Sequence, residues 1–193
     1  LYAVWTGNQY TITYNANGGT GTQTAGSYTT GAAATSLPAT STFSRTGYSF
    51  GGWATSAGST TPVTSYSTSA TATFYAIWIR GTYNVRFLAN GGVGTMETQT
   101  SSATANLTAN AFTYADRTFT GWNTSADGTG IAYSNSQSYP FLTNLTLYAR
   151  WGNVITFSSQ GATSGSPSRT SEGWTSGSIN LPTVGTMVKA GYT

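Results

Sequence analysis

The sequence contains no cysteine and no histidine, and only 6% of its 193 residues are charged. Without cysteine there is neither a disulfide framework nor a thiolate metal site, and without histidine the commonest general base is missing. The seven basic residues are scattered along the chain, which argues against a nucleic-acid partner. No apolar run approaches the roughly 20 residues of a membrane helix. We therefore predict no membrane insertion within this segment.

Carboxylates are equally scarce. Glu97, Asp116, Asp127 and Glu172 lie at unrelated positions and supply no acid–base pair. The stretch "TSADGTG" at 124–130 resembles a calcium loop. A calcium loop needs several oxygen ligands, however, and this one offers a single carboxylate, so we interpret it as a surface hairpin. The sequence predicts no enzyme, no cofactor and no metal.

What the chain has is internal repetition. The motifs "LYAVW", "FYAIW" and "LYARW" end at Trp5, Trp78 and Trp151, 73 residues apart each time. The "GGW" and "TGW" motifs ending at Trp53 and Trp122 are 69 apart, so the second copy is four residues shorter in its middle and four longer at its end. Such compensating changes are typical of loops. The repeat predicts four segments: the last strand of a preceding repeat (1–7), a first full repeat (8–80), a second (81–152) and the first half of a third (153–193).

Within each repeat the pattern is that of strands. Tyr10, Ile12 and Tyr14 alternate with threonines, and clusters of Ser, Thr and Gly interrupt the chain every few residues. No helical period extends over ten residues, although one short turn of helix fits residues 39–43 after Pro38. The predicted fold class is mainly β, with tandem small modules of about 73 residues and little or no helix.

These motifs carry a resemblance to a known family. The order "YxIxYxANGG", "LP", "RxGYxFxGW" and "YAxW" resembles the Listeria–Bacteroides repeat, the B repeat of internalin B. The resemblance implies β-grasp-like modules in extracellular proteins of the bacterial cell surface, where they serve as stalks or adhesive segments. The second copy departs from the pattern, with Asp116-Arg117 in place of Gly47-Tyr48, which leaves the turn at that position open.

The most distinctive motif is a glycine-rich loop that follows the first strand of each repeat. Neither copy has the lysine of a phosphate-binding P-loop, and no helix is signalled after the glycines. Asn-Gly is instead the favoured dipeptide of a type I′ turn, in which both residues take positive φ. We therefore predict structural turns at Asn17, Gly18, Asn90 and Gly91.

The tryptophans fall into two groups. Five occupy repeat-equivalent positions and are predicted to be core aromatics: Trp5, Trp53, Trp78, Trp122 and Trp151. Trp174 has no equivalent in the full repeats and is the candidate for an exposed ligand contact. Such a contact would suit the alternative function, a module that binds a glycan or a host-surface receptor through exposed aromatics.

The two ends of the sequence suggest a sharper hypothesis. The opening strand Leu1, Tyr2, Ala3, Val4 and Trp5 is a candidate assembly strand that would complete the 154–193 unit of a neighbouring copy. Partners would then be neighbouring repeats or copies of the chain itself, although an arbitrary segment boundary explains the same ends. Three glycosylation sequons, at Asn106, Asn123 and Asn144, matter only in a host that glycosylates them.

Overall fold

The computed structural model describes residues 2–156 and the strand 171–174, with side chains described as far as Asn153. Every regular element in this part of the chain is a strand, which confirms the mainly β fold class. One compact unit takes in the described residues up to Tyr83 together with 141–143, and a second takes in the other described residues. The strands are β1 (Gln9–Asn15), β2 (Gly26–Thr29), β3 (Thr35–Ser36), β4 (Tyr48–Ala54), β5 (Ser65–Tyr66), β6 (Ala72–Arg80), β7 (Tyr83–Leu88), β8 (Gln99–Ser101), β9 (Ala105–Asn106), β10 (Arg117–Asn123), β11 (Ala132–Tyr133), β12 (Ser138–Tyr139), β13 (Leu145–Thr156) and β14 (Ser171–Trp174).

The first repeat is built on a four-stranded sheet in the order β2-β1-β6-β4. The central strands β1 and β6 are parallel, with Ile12 opposite Ala72, and both outer strands are antiparallel to their neighbours. β3 and β5 form a separate two-stranded sheet. The first and last long strands of the repeat are therefore neighbours, as in a β-grasp sheet, although the described residues contain no helix to cover it.

The second repeat has the same plan. Its sheet runs β11-β10-β13-β7-β8, with β13 parallel to β7 and antiparallel to β10, and β9 pairs with β12. β13 continues to Thr156 and also pairs with β14. The last strand of the second repeat and the predicted opening strand of the third copy are thus one continuous strand.

One tryptophan lies at the centre of each core. Trp53 contacts the rings of Tyr14, Phe43 and Phe50, with centroids 4.5, 6.0 and 4.9 Å away. Trp122 contacts Phe87, Phe112 and Phe119 at 5.0, 6.2 and 4.8 Å. Both indoles are 1% exposed. Removing such a side chain typically costs about 3–5 kcal/mol, so these aromatics dominate the stability of modules this small.

The length differences between the repeats fall in connections, as predicted. The second repeat is shorter in the connection that precedes its first two-residue strand. β3 begins at Thr35 and its counterpart β9 at Ala105, 70 residues later rather than 73. The compensating residues lie partly between β11 and β12, where Tyr133 and Tyr139 are separated by more residues than Val63 and Tyr66. Both small sheets nevertheless form with the same pairing, although β9 follows β3 by 70 residues and β12 follows β5 by 73.

The structure settles two local points that the sequence left open. Residues 39–43 form bends and irregular backbone, with no helical turn. The turn left open by Asp116 is the same in both repeats, since Gly47 has φ of 82° and Asp116 has φ of 57°. The hydrogen bonds from Tyr48 N to Arg45 O (3.0 Å) and from Arg117 N to Tyr114 O (3.2 Å) close it identically. Aspartate is one of the few residues that tolerate this left-handed conformation.

The opening segment also differs from the prediction. Residues 2–7 form no strand, and Tyr2, Val4 and Trp5 are 96%, 90% and 90% exposed, so Trp5 is not a core aromatic in this structure. The equivalent strand β6 gains its burial from β1 on one side and β4 on the other. Residues 2–5 pair with no strand of the described chain and therefore lack both neighbours. Leu1 lies outside the described residues.

Candidate functional site

The Asn-Gly turns have the geometry that a type I′ turn requires. Asn17 and Gly18 have φ of 48° and 86°, and Asn90 and Gly91 have φ of 48° and 93°. A hydrogen bond from Gly19 N to Ala16 O (2.9 Å) closes the first turn, and its counterpart from Gly92 N to Ala89 O measures 3.1 Å. The two turns therefore share the same positive φ pattern and the same closing hydrogen bond.

The asparagine side chains hold these turns to the rest of the repeat. The Asn17 amide donates to the carbonyls of Ala57 and Ala76, both at 2.9 Å. The Asn90 amide donates in the same way to the carbonyls of Ala126 and Ala149, at 2.9 and 3.0 Å. Sequence reasoning explained asparagine here by its positive φ alone. Its second role, joining a turn to a strand and a loop far along the chain, was missed because these partners are non-local.

Each turn also accepts a hydrogen bond from the tryptophan in the last long strand of its repeat. Trp78 Nε1 donates to Ala16 O and Trp151 Nε1 donates to Ala89 O, both at 2.8 Å. A Cβ added to Gly19 would lie 2.6 Å from Cζ2 of Trp78, and one added to Gly92 would lie 2.7 Å from Cζ2 of Trp151. A backbone carbonyl lies equally close, Ser44 O at 2.8 Å and Thr113 O at 2.7 Å, so the indole ring and the backbone together require the second glycine of "NGG". We call this arrangement of asparagine, glycines and tryptophan the turn clamp.

The turn clamp leaves little for a ligand to bind. A phosphate cradle points backbone N–H groups at its anion. Here the N–H of Asn17 donates to Asn15 Oδ1 at 2.8 Å, and that of Gly19 to Ala16 O. The N–H of Thr20, the next residue along the loop, is also occupied, because it donates to Ser44 O at 2.8 Å. The repeated glycine loop is a requirement of the fold.

The structure places the remaining predicted tryptophans in different surroundings. Trp53 and Trp122 are buried, whereas Trp78 and Trp151 are half-buried in the turn clamps. Trp53 Nε1 donates to Pro38 O at 2.8 Å. Trp174 ends β14, but its side chain lies outside the described residues. Trp174 as a ligand contact thus stays a prediction.

The loop after Trp122 is organised by its own side chains. Asn123, 4% exposed, donates to the carbonyls of Gly128 and Gly130, both at 3.2 Å. Asp127 accepts from Ser125 Oγ at 2.6 Å and from both N and Oγ1 of Thr129. The Ser125 hydrogen bond first, and then those of Thr129, lower the pKa of this exposed carboxyl to about 2. Asn123 is thus occupied inside the protein, which excludes it as a sequon in the folded state.

The feature that sequence reasoning missed lies beside this loop. An open groove of about 710 Å³ runs along the end of β10, next to β11 and the guanidinium of Arg150. Its lining combines hydroxyl, amide, aromatic and cationic side chains, namely Thr120, Asn123, Tyr133, Gln137 and Arg150. No sequence motif marks it, because its residues come from four separate stretches. Elsewhere, no three of the carboxylates in the described part of the chain cluster as a metal site would need.

Two compact β units that repeat the same sheet, core tryptophan and turn clamp define a tandem-repeat protein. Residues 10–77 and 83–150 each match the Listeria-Bacteroides repeat domain, and the chain belongs to this family. The resemblance predicted from the sequence is thereby confirmed. The family is a repeat-domain family of surface-type proteins rather than a family of enzymes.

A relative from Evansella cellulosilytica, whose name describes it as a Gly-rich membrane protein, is 36% identical to the chain over 136 residues. The match covers 61% of this chain and 16% of the relative, so the chain spans a small part of that protein. No solved structure matches the chain. Among the described residues, no helix has the length and hydropathy of a membrane span.

Proposed function

We propose that the chain is a structural segment of an extracellular protein on a bacterial surface, where it acts as a stalk or spacer without enzymatic activity. The observation that carries this proposal is the position of the residues that the two repeats share. Asn17, Gly18, Gly19, Trp53 and Trp78 all have identical counterparts in the second repeat. These residues form the turn clamp and the core, so what is duplicated is the fold itself.

The make-up of each unit supports a spacer. Each repeat packs aromatic residues around one tryptophan of its own, so adding a repeat adds a further core. In such arrays, stability is approximately a sum over repeats and their nearest-neighbour contacts. The surface is rich in Ser, Thr and Asn and carries few charges, which limits nonspecific electrostatic attraction.

The spacer role predicts a distance that grows with repeat number. One, two or three copies of residues 8–152 would be inserted between a cell-surface anchor and a small epitope, and the height of the epitope above the membrane would be measured. We expect equal increments for each copy. A Gly/Ser linker of the same length is the matched control, since its height grows only as the square root of its length. Increments that follow the linker, or that vanish, would overturn the spacer role.

The finer hypothesis is head-to-tail assembly by strand complementation. Tyr2, Val4 and Trp5 correspond to Tyr75, Ile77 and Trp78 of β6, a strand that is buried between two neighbours, yet they are exposed here. We propose that Leu1–Trp5 adds as a strand to the 154–193 unit of another copy, where most of the acceptor lies outside the described residues. Such a heterologous contact would build an open fibre.

Light scattering combined with negative-stain imaging tests this assembly. We expect filaments that lengthen with protein concentration and that disappear when Leu1–Trp5 is deleted. A Trp5→Asp variant, which keeps the length of the segment but places a charge in the strand, should abolish them as well. Monodisperse monomers at high concentration would contradict assembly while leaving the spacer role intact.

A further inference from the structure

The groove of the second repeat, which we call the Arg150 groove, is defined by Thr120, Asn123, Tyr133, Gln137 and Arg150. Its volume of about 710 Å³ lies within the roughly 300–1,000 Å³ typical of small-ligand sites. All of these residues belong to the second compact unit. The groove is therefore a feature of one module.

A β-bulge shapes one side of the groove. The register between β10 and β13 shifts between Phe119 and Gly121, so Thr120 is the extra residue and its side chain is exposed. Bulges commonly re-aim a side chain beside a binding site. The first repeat has the same bulge between Phe50 and Gly52, but its extra residue is Gly51, which has no side chain to present.

Arg150 is held in place at the rim. Its Nη1 donates to Ala126 O at 3.2 Å, and its guanidinium packs over Gly128 so closely that a Cβ on that glycine would collide with it. The guanidinium has five N–H donors in a fixed fork. The described chain provides it with no carboxylate partner, so most of this donor capacity remains for a ligand. A prepositioned guanidinium matches a carboxylate in bidentate geometry.

The other groups in the groove suit a sugar. Gln137 Oε1 accepts from Ser134 N at 2.8 Å, which orients the amide and leaves its NH₂ group as a donor. The Thr120 hydroxyl can both donate and accept, and the half-buried Tyr133 ring offers an apolar face with a polar end. Among the described residues, no aliphatic side chain larger than Ala132 lines the groove, so this part of the chain offers no apolar pocket of the kind that recognises peptide side chains.

The first repeat has a different set of residues at the equivalent positions. Gly51, Ala54 and Ile77 stand where the second repeat has Thr120, Asn123 and Arg150. Val63 bridges to Trp53 as Tyr133 pairs with Trp122, so these two residues are equivalent as well. Ile77 is only 8% exposed. The same fold thus places small or apolar residues, two of them buried, at these positions in one repeat and a polar, cationic groove in the other.

We propose that the Arg150 groove binds a carboxylate-bearing sugar of an acidic polysaccharide. Arg150 pairs with the carboxylate, Tyr133 packs against the sugar ring, and Thr120 and Gln137 bond to its hydroxyls. This function goes beyond the spacer role and is independent of it, since a spacer needs no groove.

Calorimetric titration of the purified 193-residue chain tests the proposal. The probes are a short oligogalacturonate, a neutral galactose oligomer of the same length, and oligoglutamate as an acidic peptide. The variants Arg150→Ile and Tyr133→Val install the residues of the first repeat and so suit the fold. Arg86→Gln, at an exposed position outside the groove, changes the net charge equally and is the matched control. The unfolding midpoint of each variant is measured in parallel, and Arg150→Gln replaces Arg150→Ile if the latter unfolds early.

We expect oligogalacturonate to bind and the neutral oligomer to bind far more weakly. Because Arg150→Ile removes a hydrogen-bonded charge pair, it should weaken the binding of oligogalacturonate about tenfold or more. Tyr133→Val should weaken it several-fold, and Arg86→Gln should leave it unchanged. Absence of binding, an equal loss in Arg86→Gln, or tighter binding of oligoglutamate would each overturn the proposal. An equal loss in Arg86→Gln would indicate general attraction of anions, and tighter binding of oligoglutamate would indicate a peptide ligand.

Discussion

The two repeats each hold an arginine against a tyrosine at the same turn, but in opposite order. In the first repeat the guanidinium of Arg45 lies 4.2 Å from the ring centroid of Tyr48. In the second, the guanidinium of Arg117 lies 5.0 Å from the ring of Tyr114. Arg45 and Tyr114 occupy equivalent positions, as do Tyr48 and Arg117. The repeats therefore share the contact while exchanging the residues that make it.

The residue across the sheet explains which order each repeat uses. Tyr48 pairs with Arg80 on β6, whose guanidinium also approaches its ring, at 6.0 Å. Arg117 instead pairs with the neutral Asn153 on β13. Like charges directly opposite each other in antiparallel strands are destabilising. An arginine at position 48 would face Arg80, whereas position 117 has no such conflict.

The repeats differ more in their core tryptophans. Trp53 Nε1 donates to Pro38 O, whereas Trp122 Nε1 is buried and finds no acceptor among the described residues. A buried donor without a partner costs about 1–3 kcal/mol. The first core thus has an indole hydrogen bond that the second lacks among the described residues.

The largest expected effect on stability comes from removing the indole N–H group of each core tryptophan. Trp53→Phe removes the hydrogen bond and leaves the Pro38 carbonyl without its donor, while Trp122→Phe removes a donor that was unsatisfied. We expect Trp53→Phe to destabilise its repeat by about 1–3 kcal/mol more than Trp122→Phe destabilises the other. The measurement is urea unfolding followed through amide NMR signals assigned to each repeat. Equal losses in the two repeats would show that the Trp122 donor is satisfied in solution.

A smaller effect is expected at the left-handed turn. Asp116 adopts φ of 57° where the first repeat has Gly47. The left-handed conformation costs a residue with a Cβ about 1–2 kcal/mol, and glycine avoids this cost. Glycine, however, loses more backbone entropy on folding, which offsets about half of that gain. Asp116→Gly should therefore stabilise the second repeat by roughly 0.5 kcal/mol. The same NMR-detected unfolding measures this, with the first repeat as an internal control that should not change. A loss of stability would mean that the aspartate side chain contributes more than its backbone costs.

Exchanging the arginine–tyrosine pair tests the role of the opposite strand. The double variant Arg45→Tyr/Tyr48→Arg gives the first repeat the order of the second, but it sets the new arginine against Arg80. We expect a loss of about 0.5–1 kcal/mol in thermal or urea unfolding. Adding Arg80→Asn, the residue of the second repeat, should restore most of it. If the triple variant is no more stable than the double one, the order of the pair is unrelated to the cross-strand charge.

The sequence was sufficient to predict the features that depend on local pattern. Alternating apolar residues predicted the strands, and Asn-Gly predicted positive φ at residues 17 and 18. It did not predict why a glycine follows at position 19, because the ring that excludes a side chain there belongs to Trp78, far along the chain. The Arg150 groove was missed for the same reason, since a bulge, a loop and two strands bring its residues together. Burial of Trp5 was wrongly predicted from equivalence alone, without the neighbouring strands that provide it.

The smallest expected difference concerns pH. Asp127 stands where the first repeat has Gly58, so only the second loop carries a carboxylate. Its pKa is lowered from 3.8 to about 2, chiefly by the hydrogen bond from Ser125 and then by those from Thr129. Because the folded pKa is the lower one, its stabilising contribution is present above the unfolded pKa and is lost as the pH falls through about 2. That contribution is small, since the group is exposed to water.

Carboxyl NMR titration checks this assignment directly. The Asp127 midpoint should lie near 2 in the native protein and rise towards 3.8 in Ser125→Ala, which removes the hydrogen bond with the largest effect. Asp127→Gly, which copies the first repeat, should make the acid unfolding of the second repeat slightly less dependent on pH between about 4 and 2. A native midpoint already near 3.8 would mean that the loop bonds do not persist in solution. The loop beside the Arg150 groove would then be less rigid than its hydrogen bonds imply, although its carboxylate would still be ionised at neutral pH.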